Sequence, residues 1–88
     1  MKNDSYIFSD HAEQQIVARK LDKQLIVNSI ANPDLIREED GLIVIMKVIM
    51  EAKKSYLLRI FIRKDKKPNL VITVYKTSKI KKYYESNV

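Results

Sequence analysis

The hydrophobic rhythm of the chain changes once, near residue 34, and that change predicts the architecture. Before it, apolar positions recur at helical spacing. Ala12 and Ile16 lie four apart, and Ser9 ahead of them can offer its hydroxyl to the free N–H groups of a first helical turn. Asp10 and Glu13 suit the positive end of that helix, and Lys20 suits the other end. Asp22 can cap a second helix, KQLIVNSIAN (23–32), in which Leu25, Ile26, Ser29 and Ile30 form an apolar stripe. Asn32-Pro33-Asp34 stops it, because the residue before proline avoids helical backbone. SYIF (5–8) reads as a short strand ahead of both helices.

After residue 34 the period is two. DLIRE (34–38) reads as a strand, and EDG turns the chain at its only glycine, Gly41. LIVIMKVIM (42–50) is an almost unbroken run of β-favouring residues, as expected of a central strand covered on both faces. EAKK turns the chain into SYLLRIFIR (55–63), where Tyr56, Leu58, Ile60 and Ile62 point one way and Leu57, Arg59, Phe61 and Arg63 the other. KDKKPN is a basic loop. LVITVYKT (70–77) follows, with Leu70, Ile72 and Val74 facing opposite to Val71, Thr73, Tyr75 and Thr77. A last helix begins near Thr77 or Ser78 and carries Ile80, Tyr83 and Tyr84, the tyrosines as packing.

The expected fold is therefore α+β: two N-terminal helices packed on a four-stranded antiparallel meander, joined by the short first strand if it pairs, and a short C-terminal helix. Residues 1–88 make one domain. Keeping both apolar faces together fixes the pairing of the last two strands, with Arg59 opposite Tyr75 and Phe61 opposite Thr73. One sheet face then displays Arg59, Arg63, Thr73, Tyr75 and Thr77.

Composition adds a partner class. Hydrophobic residues are 45% and charged residues 32%, a globular balance. The net charge of +6 hides an asymmetry. Residues 1–46 carry five Lys/Arg and eight Asp/Glu, a balance of −3, whereas residues 47–82 carry twelve and two, a balance of +10. A basic half suits RNA, DNA or an acidic protein. The absence of cysteine excludes disulfides and thiolate metal sites and suits a reducing cytosol. MKNDSYIF has no apolar signal core, and LIVIMKVIM is too short to span a bilayer. The expectation is a cytoplasmic protein with no membrane partner. No metal-ligand cluster, glycine-rich phosphate loop or nucleophile elbow is present, so neither a metal nor a cofactor is expected.

The candidate chemistry centres on His11, the only histidine. His11, Gln15 and Arg19 share one helical stripe, because each step of four residues turns only ~40°. A neutral imidazole can accept a proton, and an arginine can hold a phosphate bidentately. Metal-independent RNA cleavage needs such parts: a base for the 2′-hydroxyl, cations for the phosphorane and an acid for the leaving oxygen. Tyr75 could stack a base or donate a proton, and Arg59, Arg63 and Lys79 could bind phosphate. Each residue also has a plainer account. A first-turn histidine is usually surface, Tyr75 suits sheet packing, and arginines can simply coat an exposed sheet. The lysines of KDKKPN and KIKK add long-range attraction for polyanions.

SDHAEQQIVAR (9–19), NPD (32–34) and VITVYKTSKIKKYY (71–84) resemble a small bacterial family of uncharacterised function with S-x-H-A-x-x-R-x-x-x-R and V-I-T-V-Y motifs. That family is grouped with the RelE/ParE-like toxins, in the wider barnase–EndoU–colicin–RelE ribonuclease class. The resemblance covers nearly the whole chain and implies a RelE-like domain. It carries the family's histidine onto His11, its second arginine onto Arg19, and its terminal-strand polar residues onto Thr73, Tyr75 and Thr77. The family's first arginine is replaced by Gln15, which can donate a hydrogen bond but brings no charge. The resemblance implies RNA as substrate, ribosome-associated RNA included, and an antitoxin protein covering the basic face.

Two functional readings stand. One is a toxin-type, metal-independent endoribonuclease of a toxin–antitoxin system, with His11 as base or acid, Arg19 and Arg59 on the phosphate, and Tyr75 or Thr73 positioning the substrate. The other is a non-catalytic RelE-like module that binds RNA or protein with a degenerate site, the reading that Gln15 favours. A homodimer built on an apolar strand edge is a third reading. The one-site form of the nuclease reading requires His11 and Arg19 to border the same hollow as the hydroxyls of the last strand.

Overall fold

The computed structural model of the chain describes residues 6–63, 65 and 69–84. Ser5, most of the KDKKPN loop and the side chains of Tyr83 and Tyr84 lie outside the described residues. The elements run β1 (Tyr6–Phe8), α1 (Asp10–Ala18), α2 (Lys23–Ala31), β2 (Leu35–Glu39), β3 (Leu42–Glu51), β4 (Lys54–Arg63), β5 (Asn69–Thr77) and α3 (Ile80–Tyr84). The sheet order is β1-β5-β4-β3-β2. β2 to β5 form the expected antiparallel meander. β1 joins as a fifth strand, parallel to β5, from Tyr6↔Asn69 to Phe8↔Val71. The fold is α+β.

Local chemistry sets the element ends. Ser9 accepts a hydrogen bond from the Ala12 N–H at 3.0 Å, and Asp22 accepts one from Gln24 at 2.9 Å, so each caps the helix that follows. α1 closes with the N–H of Leu21 on the carbonyl of Ile16 and that of Lys20 on Val17, with Lys20 in left-handed backbone at φ 55°. This 6→1 and 5→2 pair ends many helices, usually with glycine at the left-handed position. Both tight hairpins place two left-handed residues in the turn: Asp40–Gly41 (φ 52° and 78°) between β2 and β3, and Ala52–Lys53 (φ 50° and 67°) between β3 and β4.

The sheet carries two cores of unequal size. On one face, Ala12, Ile16 and Ile26 of the helices pack with Ile45, Leu58, Ile60 and Val74. On the other, Val44, Met46 and Leu57 pack with Leu35, Phe61 and Ile80 of α3. Burial on both faces holds for the first half of LIVIMKVIM only, since Val48 and Met50 are 36% and 66% exposed. α3 has five residues and packs against β4, the strand in which Leu57 to Ile60 are all buried.

The expected β4–β5 register holds from Leu57↔Thr77 to Phe61↔Thr73. A bulge then intervenes, and Ile62 pairs with Val71. One extra residue in β5 reverses the facing of what precedes it. Val71, expected beside Thr73 and Tyr75, lies instead fully buried in the helix-side core. The β1–α1 corner docks at this bulge. The Ser9 N–H donates to the Val71 carbonyl at 2.9 Å, and the Ser9 hydroxyl donates to the Ile72 carbonyl at 3.2 Å.

Candidate functional site

α1 lies along the outer edge of β5. β1 ends at Phe8, so β5 has no strand on that side beyond Val71. An unpaired backbone N–H needs an acceptor when water is excluded. Gln15 supplies it: its side-chain carbonyl accepts the Val74 N–H at 2.9 Å. His11 is exposed, one turn earlier on the same stripe. A helical turn rises about 6 Å over four residues and a strand covers that in about two, so His11 stands beside Ile72 and Thr73. By the same measure Arg19, exposed at the end of α1, stands beside Lys76.

The remaining candidates project from the opposite face. β4 sets Arg59 opposite Tyr75, and Arg59 is buried, 6% exposed. Arg59 Nη1 donates to Tyr75 Oη at 2.5 Å, and Nη2 to Glu39 Oε2 at 2.9 Å. The guanidinium carbon lies 5.1 Å from the Phe61 ring centre and 5.7 Å from that of Tyr75, and the two rings stack at 6.1 Å. Thr73 faces Phe61 across the strands. Thr77 accepts the Lys79 N–H at 3.1 Å and so starts the turn into α3, leaving Lys79 exposed. Arg63 is held by both carboxylate oxygens of Asp65, at 3.2 and 2.7 Å. Its hydrogen bond and charge raise the pKa of Arg63 above the ordinary arginine value.

The structure thus gathers Arg59, Tyr75 and Thr73 on one face, and sets His11, Gln15 and Arg19 on α1 along the β5 edge of the other. A phosphate approaching Arg59 meets a guanidinium already held by a carboxylate. Glu39 is the member of this cluster that the residue pattern did not single out. Its signal was the period of two in β2, which puts Leu35, Arg37 and Glu39 on the face of Val44 and Met46. Among the described residues no group of three His, Cys, Asp or Glu side chains is placed to hold a metal ion, and no helix is long and apolar enough to cross a membrane.

A family model matches residues 8–76, from the end of β1 to near the end of β5. The chain belongs to the DUF4258 family, a domain of unknown function. The DUF4258 match includes the α1 stripe and the Arg59–Tyr75 pair, and it ends before Lys79 and α3. No curated protein and no solved structure matches the chain.

Proposed function

We propose that this DUF4258 protein is a RelE-like RNA-binding module of the toxin–antitoxin type whose would-be phosphate chemistry has been given over to the fold. One observation carries the choice of binding over cleavage. The Gln15 carbonyl is spent on the Val74 N–H, and the Arg59 guanidinium is spent on Glu39 and Tyr75. The balance of +10 over residues 47–82 supports a polyanionic partner. An antitoxin with an acidic surface would compete for the same cations.

A second reading, a metal-independent endoribonuclease that uses His11 without the Arg59–Tyr75–Thr73 face on the other side of the sheet, rests on the exposure of His11 at the β5 edge. A single experiment separates the two. Purified protein is incubated with end-labelled RNA in EDTA and resolved on native and denaturing gels. The binding module retards the RNA and leaves it intact, and His11→Ala binds as the wild type does. Cleavage that His11→Ala abolishes, with growth arrest on induction of the wild type, would replace the module with the nuclease. Absence of retardation at low salt rejects both.

A further inference from the structure

One end of the sheet collects cations from separate stretches of chain. α1 and β5 advance in the same direction, since Ser9 meets Ile72 and Gln15 meets Val74. Arg19 and Lys20 therefore arrive at the end of β5 that carries Lys76. Leu57 pairs with Thr77, so the β3–β4 turn brings Lys53 and Lys54 to the same end. Lys79 follows directly. Among the described residues the acids at this end are engaged: Glu51 holds Lys76 at 2.5 Å, Asp34 holds Lys47 and the Val48 N–H, and Asp22 caps α2.

Two of these six cations sit where a side chain is disfavoured. Lys20 and Lys53 have φ of 55° and 67°, a region that glycine enters freely. The chain does use glycine in the other hairpin, at Gly41 with φ 78°. Lys53 shares this backbone with Ala52 at φ 50°, as a two-residue hairpin requires, whereas Lys20 stands at a helix end where glycine is usual. An aromatic ring lies among the cations. Tyr56 packs partly against the helix-side core, and Lys76 Nζ and Lys54 Nζ lie over its ring, 4.9 and 5.8 Å from the centre, so a base stacks there by displacing the Lys54 amine. Single-stranded nucleic acid is held by just this pairing of phosphate-binding amines with a ring on which a base can stack.

We infer that this end of the sheet is a track for single-stranded RNA, with the five exposed cations Arg19, Lys20, Lys53, Lys54 and Lys79 on the phosphates, Lys76 being held by Glu51, and the Tyr56 ring under a base. The inference rests on the RNA-binding reading above and locates it. The test is fluorescence anisotropy of a labelled single-stranded RNA titrated at several salt concentrations, with circular dichroism confirming the fold of each variant. The triple variant Lys53→Gln, Lys54→Gln, Lys79→Gln is expected to bind at least ~10-fold more weakly. Its plot of log affinity against log salt should be shallower by about 0.7 for each phosphate contact removed. Tyr56→Leu should lose about tenfold, and Tyr56→Phe should bind as the wild type; the lysine variants decide the matter if Tyr56→Leu does not fold. RNA binding by the wild type that the triple variant retains, or that falls instead in Lys64→Gln, Lys66→Gln, Lys67→Gln, overturns this surface and leaves the RNA reading in place. Duplex RNA competing as well as single-stranded RNA overturns the track. No RNA binding at low salt, or binding to polyglutamate alone, overturns both.

Discussion

The amide of Gln15 does for β5 what a neighbouring strand would do elsewhere, and its charge state is the point. An arginine at this position, as in the resembled motif, carries five donors and no acceptor. Gln15→Arg is therefore expected to leave the Val74 N–H without its partner and to cost about 1–3 kcal/mol in urea unfolding. Gln15→Glu keeps an oxygen there and should cost less. The stripe of His11, Gln15 and Arg19 was legible from spacing alone. What Gln15 touches was not, because helical periodicity gives a side and says nothing of which backbone group waits on it.

The ends of the elements were the best-read part of the fold. Ser9 as a helix cap, Asp22, Pro33 and Gly41 act through local backbone chemistry, which a few neighbouring residues specify. The left-handed end of α1 was not anticipated, since Lys20 stands where glycine is the usual signal. Lys20→Gly is expected to stabilise the protein by about 1 kcal/mol, because left-handed backbone costs a non-glycine residue about that much. For a domain of this size that corresponds to a rise in Tm of about 4–8 °C by calorimetry. The same variant should bind RNA more weakly, which distinguishes a gain in backbone comfort from a general improvement. β1 paired in a direction the pattern could not give, since three residues carry too little rhythm to choose a partner. The bulge escaped for a related reason: alternation presumes one residue per step on each strand, and the extra residue in β5 meets Ser9, far away in sequence.

Across the whole molecule the sheet separates a large helix-side core from a small second one, and the second is tied together by a charge. Arg59 on β4 spans to Glu39 on β2 and to Tyr75 on β5, so one side chain links three strands. Arg59→Met should lower stability by about 2–3 kcal/mol in urea unfolding, less than the ~3–5 kcal/mol of a fully buried broken pair because Glu39 is partly solvated. The double variant Arg59→Met, Glu39→Leu should recover most of that loss, as apolar replacements of buried pairs often do. The register that joins Arg59 to Tyr75 was readable because a short loop and two apolar faces leave few choices. The partner from β2 was not, since it depends on a strand two places away. The bulge in β5 resets the facing along that strand, so that Val71 before it and Val74 beyond it both enter the helix-side core while Thr73 and Tyr75 turn to the face of Arg59. Loss of that one extra residue would turn either Val71 out of the interior or Tyr75 away from Arg59, so the length of β5 is as constrained as its composition.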